Sequence, residues 1–255
     1  MITARFSSRT IIGVASAALV ASFGIGVAVI GPTGDARATE SSDTRGAWAA
    51  QDSVEGIDVA SHQGNVDWRA QWDDGKRFAY VKATEGTGYE NPYFAQQYNG
   101  SYDIGMIRGA YHFALPDTSS GAEQATYFVE NGGGWSADGK TLPGALDIEY
   151  NPYGSTCYGL SQSAMVDWIA DFTSTYRELT GRDPMIYTTT DWWSTCTGNS
   201  AEFDQNPLWV ARYSGSVGEL PASWSFHTIW QYSSDPIDQN RFNGSMDRLK
   251  AMANG

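Results

Sequence analysis

The chain has 255 residues, with 29 acidic against 16 basic side chains and a formal net charge of −13 at pH 7. Such an acidic chain is not expected to bind nucleic acid or anionic lipid through its general electrostatic field. Once the N-terminal segment is set aside, the remaining length allows one domain with a sizeable hydrophobic core.

The N-terminal segment has the pattern of a secretory signal. Arg5 and Arg9 precede an apolar run over residues 11–30, and residues 36–38 (Ala-Arg-Ala) give the small-x-small pattern that a signal peptidase recognises. We predict a signal peptide over residues 1–38 and a secreted, extracellular product. A membrane anchor is the alternative, because the apolar run is just long enough to span a bilayer.

The rest of the chain divides into two parts. Residues 39–53 are polar and lack strand or helix periodicity, so we predict a pro-segment or flexible arm, and residues 54–255 are predicted to form one folded domain. Apolar runs in this domain predict strands at 55–61, 78–84, 106–114, 143–149, 184–190, 208–214 and 226–233. The segments between the first five runs predict helices at 66–75, 91–105, 120–133 and 161–181.

These elements predict an α/β fold. Strand-like runs that are apolar on both faces and separated by helices are typical of a parallel sheet covered on its outside. Seven or eight such strands in one domain predict an irregular (β/α) TIM-like barrel. After residue 190 the connections are short and rich in Trp, Ser, Gly and Pro, so we expect helices to be sparse in the second half.

The stretch LPGALDIEYNPY (142–153) places two carboxylates in an apolar run. Alternate side chains of a strand share a face, so Asp147 and Glu149 are predicted to point the same way, with Cα atoms about 6.6 Å apart. Barrel active sites gather where the strands end, and this pair lies at the end of its strand. Asp58 lies late in the first predicted strand, and Asp238 follows the last one.

Acids placed together in this way predict a site for acid catalysis. Desolvation and like charges raise the pKa of at least one carboxyl, which keeps a proton available near neutral pH while a neighbour stays ionised. Cleavage of a glycosidic bond requires this pairing of an acid with an anion. A D-x-E pattern alone also fits two solvated acids or a calcium site, so the surrounding residues must decide.

The two cysteines, Cys157 and Cys196, form an even pair, which in a secreted chain predicts a disulfide. The closed loop of about 40 residues would contribute roughly 4 kcal/mol to stability. A metal site is less favoured, because neither cysteine has a second Cys or His at ligand spacing, and the three histidines fit no ligand motif. We expect no metal and no cofactor.

The ten Trp and fourteen Tyr residues suggest an aromatic cleft for sugars, although most of them can equally belong to the core. Tyr111, Tyr187 and Tyr213 fall late in predicted strands and are the candidates for substrate binding. Trp192 and Trp193 follow a strand, and we expect them to form a cleft wall within a loop.

Four further polar residues have alternative roles. His62 follows the first predicted strand and is expected to help shape the entrance. His112 alternates with Tyr111 along its strand and is expected to face the helical layer. Glu85 could line the cleft near Lys82, or the two could form a surface ion pair.

A series of motifs in chain order resembles glycoside hydrolase family 25, the Chalaropsis-type lysozymes or N,O-diacetylmuramidases. The motifs are GIDVASHQGNVDW (56–68), FAYVKATEGTGYENPYF (78–94), RGAYHF (108–113), ALDIEY (145–150), IYTTTDWW (186–193), LWVARY (208–213) and IWQYSSDPIDQNRFNGS (229–245). Together they extend over essentially the whole predicted domain, which is therefore expected to be a glycoside hydrolase catalytic barrel.

The resemblance implies an enzyme that hydrolyses the β-1,4 bond between N-acetylmuramic acid and N-acetylglucosamine in peptidoglycan. At the matching positions it implies Glu149 as proton donor and Asp147 as the residue that stabilises or orients the acetamido group. Asp58 and Asp238 are implied as further acids of the catalytic centre. The D-x-E pattern is similar to that of substrate-assisted glycosidases, so we favour attack by the acetamido oxygen over an enzyme nucleophile.

The expected partners are peptidoglycan glycan strands, with no nucleic acid, no membrane after signal cleavage, and a monomeric enzyme. A non-catalytic sugar-binding protein is an alternative, but such a protein would not need the retained proton donor. A glycosidase acting on chitin shares the N-acetyl chemistry, although the surrounding motifs favour the muramidase family.

Overall fold

The computed structural model describes residues 53–255. The predicted signal peptide over residues 1–38, and the predicted arm over residues 39–53 except for its last residue, lie outside the described residues and remain predictions. Within the described range, no helix is both long enough and apolar enough to cross a bilayer.

A closed barrel of eight strands, with one short strand on its edge, forms the centre of the described residues. The strands are β1 (Val54–Val59), β2 (Phe78–Glu85), β3 (Tyr89–Glu90), β4 (Ile107–Phe113), β5 (Ala145–Asp147), β6 (Met185–Thr188), β7 (Leu208–Ala211), β8 (Ile229–Ser233) and β9 (Gln239–Phe242). Around the barrel they follow the order β1-β2-β4-β5-β6-β7-β8-β9, and β9 returns to β1. The predicted irregular α/β barrel is therefore confirmed.

Neighbouring strands from β1 to β8 run parallel, whereas β9 is antiparallel to both β8 and β1. Strand β9, which closes the barrel, was not predicted from the sequence. Because β9 runs the opposite way, the residues that enter it lie at the same end as the carboxyl ends of the parallel strands. That end carries the residues discussed below.

Helices cover the outside of the barrel. They are α1 (Trp68–Asp73), α2 (Phe94–Asp103), α3 (Gly121–Phe128), α4 (Gln162–Thr180), α5 (Thr190–Thr197) and α6 (Met246–Asn254). Each of the four predicted helices is present in shortened form. The longest begins after Ser161, whose side chain accepts a hydrogen bond from the Ala164 N–H, and ends at Gly181 with a φ of 75°. Both residues are common at helix ends. The serine oxygen accepts a hydrogen bond from an N–H that has no partner within the helix, and glycine adopts positive φ without strain.

The second half of the barrel has fewer helices, but the connection from β6 to β7 contains α5, so the expected loop there is wrong. Trp192 and Trp193 lie in this helix and are completely buried instead of forming a cleft wall. Their indole N–H groups donate to the carbonyl oxygens of Thr156 and Ser200. A helix places large apolar side chains toward the barrel, where burial of an indole stabilises the fold.

The core has two layers. Inside the barrel, aromatic rings pack on Trp209, with centroid distances of 4.8 Å from Tyr80 and 4.9 Å from Tyr187. Outside it, His112 faces the helical layer as expected, and its ring nitrogens pair with Thr84 Oγ1 and Gln124 Oε1. The rings around Trp209 fill the middle of the barrel.

A disulfide joins Cys157 to Cys196, with Cα atoms 5.3 Å apart. It links the loop that follows β5 to helix α5. This loop begins at the pair of carboxylates identified in the sequence, so the disulfide restrains a segment next to them.

Candidate active site

An acidic cavity of about 140 Å³ lies at the carboxyl end of the parallel strands. The four acids and three tyrosines proposed from the sequence all lie around this cavity. The lining residues are Asp58, Tyr111, Asp147, Glu149, Tyr187, Trp209, Tyr213, Gln231 and Asp238.

The ends of three elements bring the acids together. Asp147 is the last residue of β5, and Glu149 follows in the next loop, while the intervening Ile148 packs into the outer core. Asp58 is the penultimate residue of β1, and its N–H donates to the carbonyl oxygen of Asp238 at 3.2 Å. Asp238 immediately precedes β9, whose reversed direction places this residue at the same mouth.

Asp58 is held by two side-chain amides. Gln231 Nε2 and Asn240 Nδ2 both donate to Asp58 Oδ2, at 2.8 and 2.6 Å. The hydroxyls of Tyr187 and Tyr213 donate to Gln231 Oε1, each at 2.9 Å, so the Gln231 amide can present only its N–H groups to Asp58.

Asn240 is oriented in the same manner, because Trp209 Nε1 donates to Asn240 Oδ1 at 2.8 Å. Gln231, Asn240 and Trp209 were not predicted from the sequence. An available signal was the placement of two amides in the short runs IWQYS and QNRF, beside apolar residues that become buried. A buried amide requires partners, and here those partners include an aspartate.

Burial dominates the electrostatics of the β5 acids. It raises the pKa of Asp147 well above its usual range, and the neighbouring Glu149 raises it further. Burial, followed by the charge of Asp238, raises the pKa of Glu149 to about 7. Lys82 opposes both shifts. Asp147 Oδ1 is buried and has no hydrogen-bond partner in the described part of the chain.

The pKa values of the other two acids, Asp58 and Asp238, are also raised. Burial, with Asp238 as the next contribution, raises the pKa of Asp58 to about 7, although Asn240 and Gln231 lower it. Burial also raises the pKa of Asp238. Because the pKa values of Asp58 and Glu149 are raised to about 7, these two carboxyls can hold a proton near neutral pH, as acid catalysis requires.

The remaining proposed residues lie at different depths. Tyr111 and Tyr187 are buried walls of the cavity, whereas Tyr213 lies two residues beyond β7 and is 59 % exposed at the rim. His62 is exposed in the turn Ser61–Gln63, directly after β1. Glu85 pairs with Lys82, but these side chains are only 14 % and 13 % exposed, so the expected surface ion pair is instead largely buried.

A larger cavity of about 620 Å³ lies elsewhere, lined by Leu208, His227, Thr228 and Phe242 among others. These residues mark the opposite end of the barrel, where β7 and β8 begin and β9 ends. The smaller cavity is the candidate active site, because several acids with raised pKa values converge there.

The fold and the site together define a class of protein. An α/β barrel with protonated and ionisable carboxyls at the carboxyl ends of its strands has the equipment of a barrel glycoside hydrolase, in which one carboxyl donates a proton and another stabilises positive charge.

Comparison with known proteins agrees with this class. The model of glycosyl hydrolases family 25 matches residues 57–240. The chain is 47 % identical over 234 residues to Lysozyme M1 of Streptomyces globisporus, covering 88 % of this chain and 77 % of that one. It is 47 % identical over 211 residues to the N,O-diacetylmuramidase of Chalaropsis sp, covering 80 % of this chain and all of that one.

A solved structure shows the same relationship. The muramidase from Acremonium alcalophilum is 58 % identical and superimposes with a TM-score of 0.78 over 79 % of this chain and 99 % of that one. The chain belongs to glycosyl hydrolases family 25, as its motifs indicated, and it is a glycoside hydrolase of the lysozyme class.

Proposed function

We propose that the protein is a secreted muramidase that hydrolyses the β-1,4 bond between N-acetylmuramic acid and N-acetylglucosamine in bacterial peptidoglycan. The names of its relatives, lysozyme and N,O-diacetylmuramidase, support this substrate class. The N-terminal pattern and the disulfide support secretion, because disulfides persist in oxidising compartments. We propose in addition that the enzyme acts as a monomer on glycan strands.

Glu149 is the proposed proton donor. It lies at the mouth, makes no hydrogen bond to other described residues, and has a pKa of about 7, so it carries a proton in mildly acidic solution. It donates this proton to the glycosidic oxygen as the bond to the anomeric carbon breaks.

Asp147 is the proposed partner of the substrate acetamido group. The observation that carries this role is the unpaired, buried Asp147 Oδ1, which can accept a hydrogen bond from an acetamido N–H. Burial favours a proton on Asp147 in the free cavity, whereas a donated N–H stabilises the ionised form. Substrate binding therefore leaves the mobile proton on Glu149.

The acetamido oxygen then acts as the nucleophile. It attacks the anomeric carbon, the glycosidic oxygen leaves with the Glu149 proton, and Asp147 stabilises the positive charge on the resulting oxazolinium ring. Water opens this ring after giving a proton to Glu149, which restores the acid. Asp238 raises the pKa of Glu149 and so helps it to hold its proton, and Asp58, held by two side-chain amides, completes the acidic lining. Tyr213 offers an exposed ring at the rim against which a sugar face can pack.

Analysis of the newly formed chain ends tests the proposal. The enzyme is incubated with purified peptidoglycan, and the new reducing ends are reduced with borohydride and identified. We expect muramitol ends, with turnover reduced at least about 10²-fold in Glu149→Gln because the amide has no transferable proton. Glu178→Gln, on the exposed face of α4, is the matched control and should retain wild-type turnover. Glucosaminitol ends, or wild-type turnover in Glu149→Gln, would contradict the proposal.

A further inference from the structure

The mouth of the barrel contains one ion pair outside the cavity lining. Lys82 lies on β2 in register with Tyr111, and Glu85 lies in register with Phe113, which is itself in register with Asp147. Cross-strand partners share a face of the sheet, so Lys82 and Tyr111 project toward the barrel interior. Lys82 is therefore a positive charge on the side of the mouth next to the acids.

The ammonium of Lys82 is held from several directions. Its Nζ atom lies 2.5 Å from Glu85 Oε2, 4.7 Å from the centre of the Phe113 ring and 5.5 Å from that of Tyr89. The second Glu85 oxygen accepts a hydrogen bond from the Tyr153 hydroxyl at 2.6 Å. Both oxygens of Glu85 are thus engaged, and Tyr153 belongs to the loop that begins beside Glu149.

Among the described residues, Lys82 is the positive charge that lowers the pKa of both Asp147 and Glu149. Its position at the mouth therefore affects the protonation of both acids. A charge that is largely removed from solvent is weakly screened, so it acts across the mouth without direct contact. The proposed mechanism requires an ionised Asp147, which burial opposes. A fixed ammonium supplies part of the stabilisation that this anion needs.

We propose that Lys82 is a positioning residue that favours ionisation of Asp147 when the substrate binds and so leaves the transferable proton on Glu149. This inference rests on the proposed roles of those two acids. Other groups also act on Asp147 from the surrounding elements. The Asp147 pKa is raised by Glu149 (the loop after β5), Asp58 (β1) and Glu85 (β2), and Asp238 (before β9) raises the pKa of Glu149. Asp147 in turn raises the pKa of Tyr111 (β4), Tyr158 (the loop after β5) and Tyr187 (β6).

Carboxyl titration by ¹³C NMR tests this role without any substrate. In Lys82→Met the apparent pKa of Asp147 should rise by about one unit, because the stabilising charge is lost. In Glu85→Gln it should fall, because a nearby negative charge is removed while Lys82 remains. Lys82→Arg keeps the charge and should restore the wild-type titration, and Lys250→Met, a charge loss on exposed helix α6, should leave it unchanged.

The pH profile of peptidoglycan hydrolysis should follow the same pattern, shifting to higher pH in Lys82→Met and to lower pH in Glu85→Gln. A merely structural ion pair would lower turnover in both variants without opposite shifts. If Asp147 in Lys82→Met titrates as in the wild type, the inference is wrong. Should Lys82→Met fail to fold, the neutral but polar Lys82→Gln decides in its place, and an unchanged Asp147 pKa in that variant would overturn the inference. Failure of the wild type to cleave peptidoglycan would overturn the proposed function and leave the titrations interpretable.

Discussion

At the scale of single residues, the mouth of the barrel places four carboxyl groups where water is largely excluded. Their raised pKa values reflect a cost, because each ionised group exchanges hydration for neighbours that are mostly also acidic. Amide donors offset part of this cost for Asp58, and Lys82 offsets part of it for Asp147 and Glu149. We therefore expect the site to lower the stability of the fold, while it provides the raised carboxyl pKa values that acid catalysis uses.

The stability of the protein should reveal this cost through its dependence on pH. The Glu149 pKa rises from 4.5 unfolded to about 7 folded, so the folded chain binds the proton more tightly. The associated stability is present below about pH 4.5 and is lost as the pH rises through about 7. Glu149→Gln removes the ionisation, and we expect it to stabilise the protein by up to about 3 kcal/mol near pH 8, but not near pH 4.

Urea denaturation of both proteins at the two pH values measures this difference. Glu178→Gln controls for the loss of one negative charge at an exposed position and should show no such dependence. An equal effect of Glu149→Gln at both pH values would mean that this carboxyl ionises normally in the folded protein.

The location of the acids could be predicted from sequence, because their spacing and their place at the ends of apolar runs determine which face they occupy. Their partners could not. Gln231 and Asn240 are ordinary polar residues in sequence, and their importance arises because strands distant in the chain meet beside Asp58. Such contacts depend on how the barrel closes, which local patterns do not encode.

At the scale of elements, the early βα units were predictable because long apolar runs alternate with amphipathic segments. Strand β9 was not, since QNRF contains one large apolar residue and pairs antiparallel at the closure of the barrel. Helix α5 could not be predicted, because its sequence TDWWSTCT is short and rich in Ser, Thr and Trp, which have modest helix propensity. Its Thr189 cap was indistinguishable from the adjacent threonines until the structure showed the bond to the Trp192 N–H.

The disulfide between the β5 loop and α5 should contribute measurably to stability. It connects residues 39 positions apart, which in the chain-entropy model stabilises the fold by up to about 4 kcal/mol. We expect the Cys157→Ser, Cys196→Ser variant to have a lower melting temperature than the oxidised wild type, and reduction should lower the wild type toward the variant. A melting temperature that is unchanged in the variant would show that the loop is restrained by its other contacts alone.

At the scale of the whole molecule, the net charge of −13 determines how the enzyme meets its substrate. Bacterial walls are often anionic, so the general field offers no attraction, and recognition must come from contacts at the cleft. Recognition of this type differs from that of a basic protein, which binds anionic polymers mainly through charge.

Binding to the wall should therefore depend little on salt. Using Glu149→Gln to prevent cleavage, co-sedimentation with purified walls should give similar bound fractions at low and at moderate ionic strength, because added ions screen repulsion and not attraction. A steep loss of binding between low and physiological salt would indicate a hidden basic contact surface and contradict this prediction.

The proposed roles, Glu149 as proton donor and Asp147 as partner of the acetamido group, are tested most directly with a substrate that needs no proton donor. A dinitrophenyl β-glycoside of N-acetylmuramic acid has a leaving group that departs as a stable anion. We predict that Glu149→Gln cleaves this glycoside within about tenfold of the wild-type rate while losing at least about 10²-fold on peptidoglycan, and that Asp147→Asn is impaired on both. Equal losses on both substrates in Glu149→Gln would contradict its assignment as the acid.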